Sequence, residues 1–354
     1  MTETEGLDRS MTHPLSEAGP SAFWSRAVAR ADRARFLDLY RPKVSLARRT
    51  PTAFAGAGIG RHLAAALKAA GGQVLDAEPA PEAMPRSVAE AHGYGTWSAR
   101  FGTLHTTRQV RQLLDDVAAG RVEPSLVWSR GRRHVDALRP LVDPRGLASA
   151  DEVLLHRDYH LEKASRLLQR TEVLVLTLDR VETWADRASG RVFPVCPGVV
   201  AGQFDPNRHH ALTLRYADVV TDLIEIRRGL KRFREDLRLV LGVSPEPLPA
   251  TGTGSHVLTA ETHSKATLRA AFEDFAAHYP DVDYLPALEV LTTEACGGPF
   301  MDRHGRMVTP DGVARISDLF LSAHGFDPVP APKAADLLDT GTAREIQALD
   351  ALAP

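Results

Sequence analysis

Short apolar runs alternate along the chain with longer segments in which apolar residues recur every three or four positions. The runs predict parallel strands at residues 52–55, 73–77, 171–178, 237–243 and 282–285. Residues 171–178 form the clearest of them, because an unbroken apolar stretch is typical of a central strand that is covered on both faces.

The longer segments predict helices at residues 61–70, 106–119, 150–170, 213–235, 264–278 and 310–320. Ser264 is predicted to cap its helix at the amino end. Strands that alternate with helices and are joined by crossovers form a parallel sheet with helices on both faces. The pattern therefore predicts one large α/β domain, a three-layer α/β/α sandwich with a parallel sheet.

Three segments lie outside this alternation. Residues 1–20 are polar and contain helix breakers, so they are predicted to form a flexible N-terminal arm, and a short amphipathic helix follows from residue 21 to about residue 30. The domain is predicted at residues 21–325, with a lid-like insertion at about residues 79–150 that faces the substrate. Residues 326–354 are rich in proline and alanine and are predicted to add a short helix.

Composition and charge exclude several classes of function. The 354 residues are 44% apolar and 25% charged, and a net charge of -2 provides no electrostatic attraction to nucleic acid or to an anionic membrane. Cys196 and Cys296 cannot form a disulfide framework, and no cysteine spacing is typical of a metal site. The chain has no apolar leader and no apolar run of membrane-spanning length. We therefore expect a cytoplasmic protein without cofactor, metal, nucleic-acid partner or membrane contact.

The first predicted strand enters a glycine-rich turn, Gly56-Ala57-Gly58-Ile59-Gly60, and a helix follows at once. Such a turn lies at the carboxyl end of a parallel strand, where α/β sheets bind their ligands. Glycine permits positive φ and close backbone approach, and the helix amides favour anionic groups, so Gly56 and Gly58 are predicted to contact substrate. In many hydrolases a nucleophile occupies this turn, whereas Ala57 carries only a methyl group.

Further stretches carry a family resemblance when they are taken in order. They are residues 23–28, 94–102, 107–109, Thr177-Leu178 with Glu182 and Trp184, residues 196–198, 244–248 and 256–258, Ser264-Lys265, and Tyr284 with Pro286 and Glu289. With these stretches, residues 22 to 325 resemble the GSCFA domain family, whose members are related to the SGNH/GDSL hydrolases. The resemblance implies a flavodoxin-like sheet and esterase or acyltransferase chemistry, in which a serine hydroxyl attacks an ester carbonyl while a histidine takes its proton.

The sequence departs from the family where that chemistry needs specific groups. The family serine falls on Ala57, and Asp179 stands in place of a glycine near the expected oxyanion site. The family's Asp-x-x-His pattern places Met307 at the histidine, while Asp302 and His304 are only two positions apart. We therefore predict that ordinary serine-esterase activity is lost and that a cleft for an acylated or glycan-like small molecule is kept.

Polar and aromatic side chains in the family-matching stretches are candidates to line this cleft, because planar cations and aromatic rings suit carboxylate or carbohydrate ligands. The candidates are Arg100, Arg180, Trp184, His263 and Lys265. The alternative for such groups is a salt-bridge network that supports the ends of the strands.

An active enzyme is the other interpretation of these departures. Asp179 and Glu182 are three positions apart, and such a pair performs acid–base chemistry when one carboxyl is desolvated. His304 remains a catalytic candidate, and His263 is a candidate for a new base. Ser98, Ser264 and Cys196 are candidates for a relocated nucleophile, and a structural role is the alternative explanation for each of them.

Overall fold

A computed structural model describes residues 13–29, 39–333, 337 and 340–353 of the chain. Its strands are β1 (Thr52–Gly56), β2 (Val127–Arg130), β3 (Arg133–Asp136), β4 (Val173–Leu178), β5 (Glu182–Asp186), β6 (Val192–Phe193), β7 (His209–Thr213), β8 (Arg238–Val243) and β9 (Val282–Leu285). Its helices are α1 (Trp24–Ala27), α2 (Gly60–Ala69), α3 (Arg86–Ala91), α4 (Thr107–Ala119), α5 (Ala150–Arg170), α6 (Tyr216–Phe233), α7 (Val257–His278), α8 (Ala287–Thr292), α9 (Pro310–Ala323) and α10 (Thr340–Asp350).

The central sheet is parallel and has the strand order β1-β4-β8-β9. All positions of β1 and β4 are buried, which explains their unbroken apolar runs. The register pairs Gly56 with Thr177 and Thr177 with Gly242, so these three residues form one row near the carboxyl edge of the sheet. Ligands of open α/β sheets bind at this edge.

Helices cover both faces of the sheet, as the three-layer prediction requires. Leu174 and Leu176 of β4 face α4 and α5, whereas Thr177 points to the other face, where it contacts Gly60 at the start of α2. Helix α2 packs against α9 on that second face, and α4, α5, α6 and α7 pack against one another. The predicted α/β/α sandwich is confirmed.

Two of the predicted element boundaries are wrong. Residues 73–77 contribute only a parallel bridge between Val74 and Thr52, because the next stretch turns away and Ala77 bonds to the Ser98 carbonyl. Helix α7 begins seven residues before Ser264 and is capped by His256, whose Nδ1 accepts from the Leu258 amide. Ser264 is therefore a buried residue inside the helix. The first turn of α7 is largely exposed, so it lacks the apolar stripe that identifies a helix from sequence.

The segment predicted as an insertion at residues 79–150 includes part of the main core. Helix α4 has a capping box formed by Thr106 and Gln109, and its Val110 and Leu114 are buried in the main apolar cluster. The β2–β3 hairpin instead belongs to a second apolar cluster around Trp128. The antiparallel sheet β6-β5-β7 was not predicted, since its strands are short and only partly buried.

The two terminal segments are only partly covered. In the predicted N-terminal arm, residues 1–12 lie outside the described residues, and the helix predicted at residues 21–30 is the four-residue α1. The tail contains α10, in agreement with the short helix predicted there. Across the described ranges, no helix combines the length and apolar character needed to cross a membrane.

A buried ionic cluster ties α4 to α5 and to the start of β6. The Asp116 side chain is fully buried and lies 2.6 Å from Nη2 of Arg157 and 2.7 Å from Nη1 of Arg191. These contacts are charge-assisted hydrogen bonds, which satisfy a carboxylate that would otherwise be very costly to bury.

We expect Asp116→Ala to lower the free energy of unfolding by about 3–5 kcal/mol, because it leaves the buried guanidinium of Arg191 without its carboxylate and that of Arg157 with Asp136 alone. The measurement is urea denaturation followed by far-UV circular dichroism. Asp115 is exposed on the same helix, so Asp115→Ala is the matched control and should change the value by less than about 0.5 kcal/mol. Equal losses in the two variants would contradict the structural role of the cluster.

Candidate functional site

The glycine turn is held closed by Thr177 on the neighbouring strand. The Ala57 amide donates to the Thr177 carbonyl at 2.7 Å, and the Thr177 hydroxyl donates to the Ala57 carbonyl at 2.7 Å. Ala57 is 1% exposed. The methyl group and both backbone polar groups of Ala57, the residue predicted to replace the family serine, are therefore buried against protein atoms.

Gly56 and Gly58 are required by close packing within the protein. Gly56 has φ of +127°, and a Cβ there would lie 1.9 Å from the Thr177 carbonyl oxygen. Gly58 has φ of +54°, and a Cβ there would lie 2.1 Å from a carboxylate oxygen of Glu246. Gly56 packs against strand β4 and Gly58 against the loop after β8, so the two glycines shape the turn that was predicted to bind substrate.

Ser244 and Glu246, which follow β8, close the turn from the other side. The Ser244 hydroxyl accepts from the Ile59 amide at 2.9 Å and donates to Glu246. Ser244 is fully buried. Burial raises the pKa of Glu246 against the opposing effect of this hydrogen bond. Neither residue was among the predicted site residues, although their position directly after a buried strand is the signal that could have identified them.

Asp179 lies directly after β4 in a buried cluster of charges. Nδ1 of His105 is 2.9 Å from Oδ1 of Asp179, and Nε of Arg180 is 3.5 Å from the same oxygen. Burial alone would raise the pKa of Asp179, but the neighbouring His105 and the positive charge of Arg180 outweigh it and hold the pKa well below its usual range. Asp179 is therefore an ionised carboxylate. His105 was not predicted, because it lies 74 residues away in sequence.

Lys265 connects the loops that follow β4 and β8. It is 8% exposed, and its Nζ donates to the carbonyl of Asp179 and, at 2.7 Å, to the carbonyl of Glu246. A salt bridge to Glu261 at 3.2 Å completes its partners. Lys265 thus fixes the backbone around the site. This is the structural role that the sequence analysis gave as the alternative to ligand binding.

Three predicted residues meet at one cavity, which we call the Arg180 cavity. It has a volume of about 80 Å³, and its lining includes Arg180, Glu182, Trp184, Cys196, Thr251 and, from α10, Glu345 and Leu349. Glu182 accepts from the Thr251 hydroxyl at 2.9 Å and from the Gly252 amide at 3.2 Å. Glu182 and Asp179 therefore have separate partners, and the predicted acid–base pair is divided between two environments.

A second cavity of about 240 Å³, the Arg61 cavity, lies beside the start of α2. Its lining includes Arg61, His62, Tyr94, Trp97, Thr103 and, from α10, Arg344. Burial and the neighbouring Arg61 lower the pKa of His62 to about 3, so this imidazole is neutral at physiological pH. Helix α10 contributes to the walls of both cavities.

Arg100 was predicted to bind ligand, but its side chain is occupied by protein groups. Its Nε donates to the His92 carbonyl at 2.9 Å, and its Nη2 bonds to Asp143 at 3.0 Å. The guanidinium also lies 4.3 Å from the centre of the Tyr94 ring. Arg100 therefore supports the segment that carries Tyr94 to the wall of the Arg61 cavity.

The two histidines proposed for catalysis lie outside both cavities. His263 is on an exposed position of α7, and His304 is in an exposed turn, where its Nε2 contacts Nε of Arg303 at 2.9 Å. Met307, at the position expected for the family histidine, is 39% exposed. The structure thus separates these side chains from the Arg180 cavity.

The relocated nucleophiles proposed from the sequence are also accounted for. Ser98 is 1% exposed and its hydroxyl accepts from the Phe54 amide at 2.9 Å, while the Ser264 hydroxyl lies 3.4 Å from the Val181 amide. Burial raises the pKa of the Cys196 thiol to about 11, which leaves little thiolate at neutral pH. Over the part of the chain that the structure describes, no three histidine, cysteine or carboxylate side chains are arranged to hold a metal ion.

We expect Asp179→Asn to destabilise the protein most at neutral pH. A carboxylate whose pKa is lowered by folding contributes stability above its ordinary pKa of 3.8, and this contribution is lost as the pH falls toward the folded-state value. The difference in Tm between wild type and Asp179→Asn, measured by calorimetry, should be largest near pH 7 and shrink below pH 4. Asp158→Asn, at an exposed position of α5, is the control, and a pH-independent difference for Asp179→Asn would exclude the ionised cluster.

The model of the GSCFA family matches residues 53–320, which include the glycine turn, the buried charge cluster and most of the lining of the Arg180 cavity. Helix α10 lies beyond the matched residues. No curated protein matches the chain.

Proposed function

Because the chain belongs to the GSCFA family, we propose that it is a member that binds an acylated or glycan-like small molecule without hydrolysing an ester. The observation that carries the proposal is the buried methyl group of Ala57, in a turn whose neighbouring hydroxyls are engaged elsewhere. The Thr177 hydroxyl bonds to the Ala57 carbonyl, and the Ser244 hydroxyl bonds to Glu246. Acyl transfer by the SGNH route needs a hydroxyl and a base that meet at this point.

The Arg180 cavity supports the binding part of the proposal. It combines an apolar ring face on Trp184 with a cation on Arg180 and hydrogen-bonding groups on Thr251. Trp184 packs at right angles to Phe204, with ring centres 5.7 Å apart, so the ring is held in place before a ligand arrives. Aromatic and polar side chains that converge on one cavity are typical of the lining of a ligand site, and this cavity is of a size for one small group of a ligand.

A second candidate function is supported by the contact between His105 and Asp179. An ionised carboxylate on Nδ1 leaves Nε2 as the basic nitrogen, and among the described residues Nε2 has no hydrogen-bond partner. A carboxylate that orients an imidazole is the arrangement of a general base. This candidate is an enzyme in which His105 activates water or removes a proton from the substrate.

We expect the wild-type protein to hydrolyse p-nitrophenyl acetate no faster than serum albumin at equal concentration. Ala57→Ser should also be inactive, because the new hydroxyl would be buried at a turn that lacks a histidine base. Spectrophotometric rates at pH 7 check both statements. Turnover that is abolished by Ser244→Ala would contradict the proposal, and turnover that survives Ser244→Ala but is lost in His105→Gln would establish the second candidate instead.

Binding is tested by thermal shift with a panel of acetylated mono- and disaccharides. We expect at least one compound to raise Tm by about 2–4 °C at about ten times its Kd. The shift should disappear in Trp184→Ala and persist in Trp24→Ala, since Trp24 is 73% exposed and distant in sequence from the cavity. Each variant is compared with its own ligand-free Tm, and shifts of equal size in both variants would place the ligand outside the Arg180 cavity.

A further inference from the structure

The guanidinium of Arg180 is buried, and its contacts with carboxylates of the described residues are longer than ordinary hydrogen bonds. Its side chain is 9% exposed, and its nearest carboxylate oxygens are on Asp179 at 3.5 Å and on Glu345 at 3.7 Å. Both distances exceed the 2.7–3.2 Å of an N–H···O bond. Nε is enclosed and has no partner among the described residues. The guanidinium has five N–H donors, and the two carboxylates beside it are too far away to form close hydrogen bonds with them.

The same guanidinium lines a cavity that has room for a ligand group. The volume of about 80 Å³ exceeds the 10–15 Å³ that one enclosed water needs on the same measure. A planar guanidinium matches a carboxylate through two parallel hydrogen bonds, which neither Asp179 nor Glu345 makes at the observed distances. The cavity therefore has space beside a guanidinium whose donors are able to form two parallel hydrogen bonds with a planar anion.

Glu345 brings a carboxylate to this cavity from α10. It is 5% exposed, although it lies on a helix near the end of the chain. The neighbouring Arg344 anchors α10 by bonds to the carbonyls of Ala91 at 2.8 Å and Leu141 at 3.2 Å. Because α10 lies beyond the family-matched residues 53–320, the carboxylate is supplied by a segment outside the family domain.

We propose that Arg180 anchors a carboxylate-binding subsite in this cavity and that Glu345 competes for it from within the chain. A ligand carboxylate that displaces Glu345 leaves the charge around Arg180 unchanged, since one anion replaces another. This inference rests on the proposed ligand-binding function and narrows its ligand to an acidic small molecule, such as an acidic sugar or an acyl group with a free carboxylate.

Acetate is the probe, and saturation-transfer NMR of its methyl group on the full chain is the measurement. Glu345→Gln keeps the shape of the side chain but removes the competing charge, so it should bind acetate at least tenfold more tightly than wild type. Binding should be lost in the double variant Glu345→Gln with Arg180→Gln. Asp350→Asn, at the exposed end of α10, should retain the wild-type affinity. Sodium chloride keeps the ionic strength constant as the acetate concentration is varied.

Two results would overturn the proposal. One is equal acetate binding by Glu345→Gln and by the double variant, and the other is no gain in affinity in a folded Glu345→Gln. Should Glu345→Gln fail to fold, Glu345→Asp provides the same test, because the shorter side chain withdraws from Arg180, and an unchanged affinity would again count against the subsite. Acetate binding is read without turnover, so ester hydrolysis by the wild type would overturn the proposed function while leaving this result intact.

Discussion

The site depends on the close approach between the glycine turn and Thr177. Gly56 permits it, because any side chain there would collide with the Thr177 carbonyl, and the Thr177 hydroxyl then holds the Ala57 carbonyl. Gly60 completes the contact, since a Cβ at that position would lie 2.3 Å from the same hydroxyl. The start of α2 is therefore fixed against β4, and the loops after β4 and β8 are built around a turn that has no free space.

Burial of charge is the second constraint, and it explains why distant segments converge on the loop after β4. Asp179, Arg180 and Lys265 are each less than 10% exposed, so each needs partners within the protein. Those partners come from the segment before α4, from α7 and from α10. Arg180 is the one member of the three whose carboxylate partners among the described residues lie farther away than an ordinary hydrogen bond, which is why the proposed subsite is placed there.

The sequence predicts what depends on local pattern and misses what depends on distant contacts. The buried strands β1, β4, β8 and β9 are readable because each is a short apolar run. The strands β5 and β7 have mixed burial and no such run, so the sheet that carries Glu182 and Trp184 was not predicted. Within the site, Glu182 and Trp184 were identified from a family-matching stretch, and Arg180 from its place just after the buried strand at residues 171–178. Glu345 was not identified, because it reaches the cavity from a position 165 residues after Arg180 in the chain.

Loss of ester chemistry and retention of a binding cavity are physically separable in this fold. The catalytic positions that the resemblance implies fall on the turn after β1 and on the exposed loop before α9, and these regions do not line the Arg180 cavity. The cavity is formed instead by β5, by the loop around Thr251 and by α10. A substitution in the turn or in that loop therefore leaves the cavity walls intact, and a substitution in α10 changes the charge of the cavity without touching the turn. The proposed loss of ester hydrolysis and the proposed binding of a ligand thus depend on separate sets of residues.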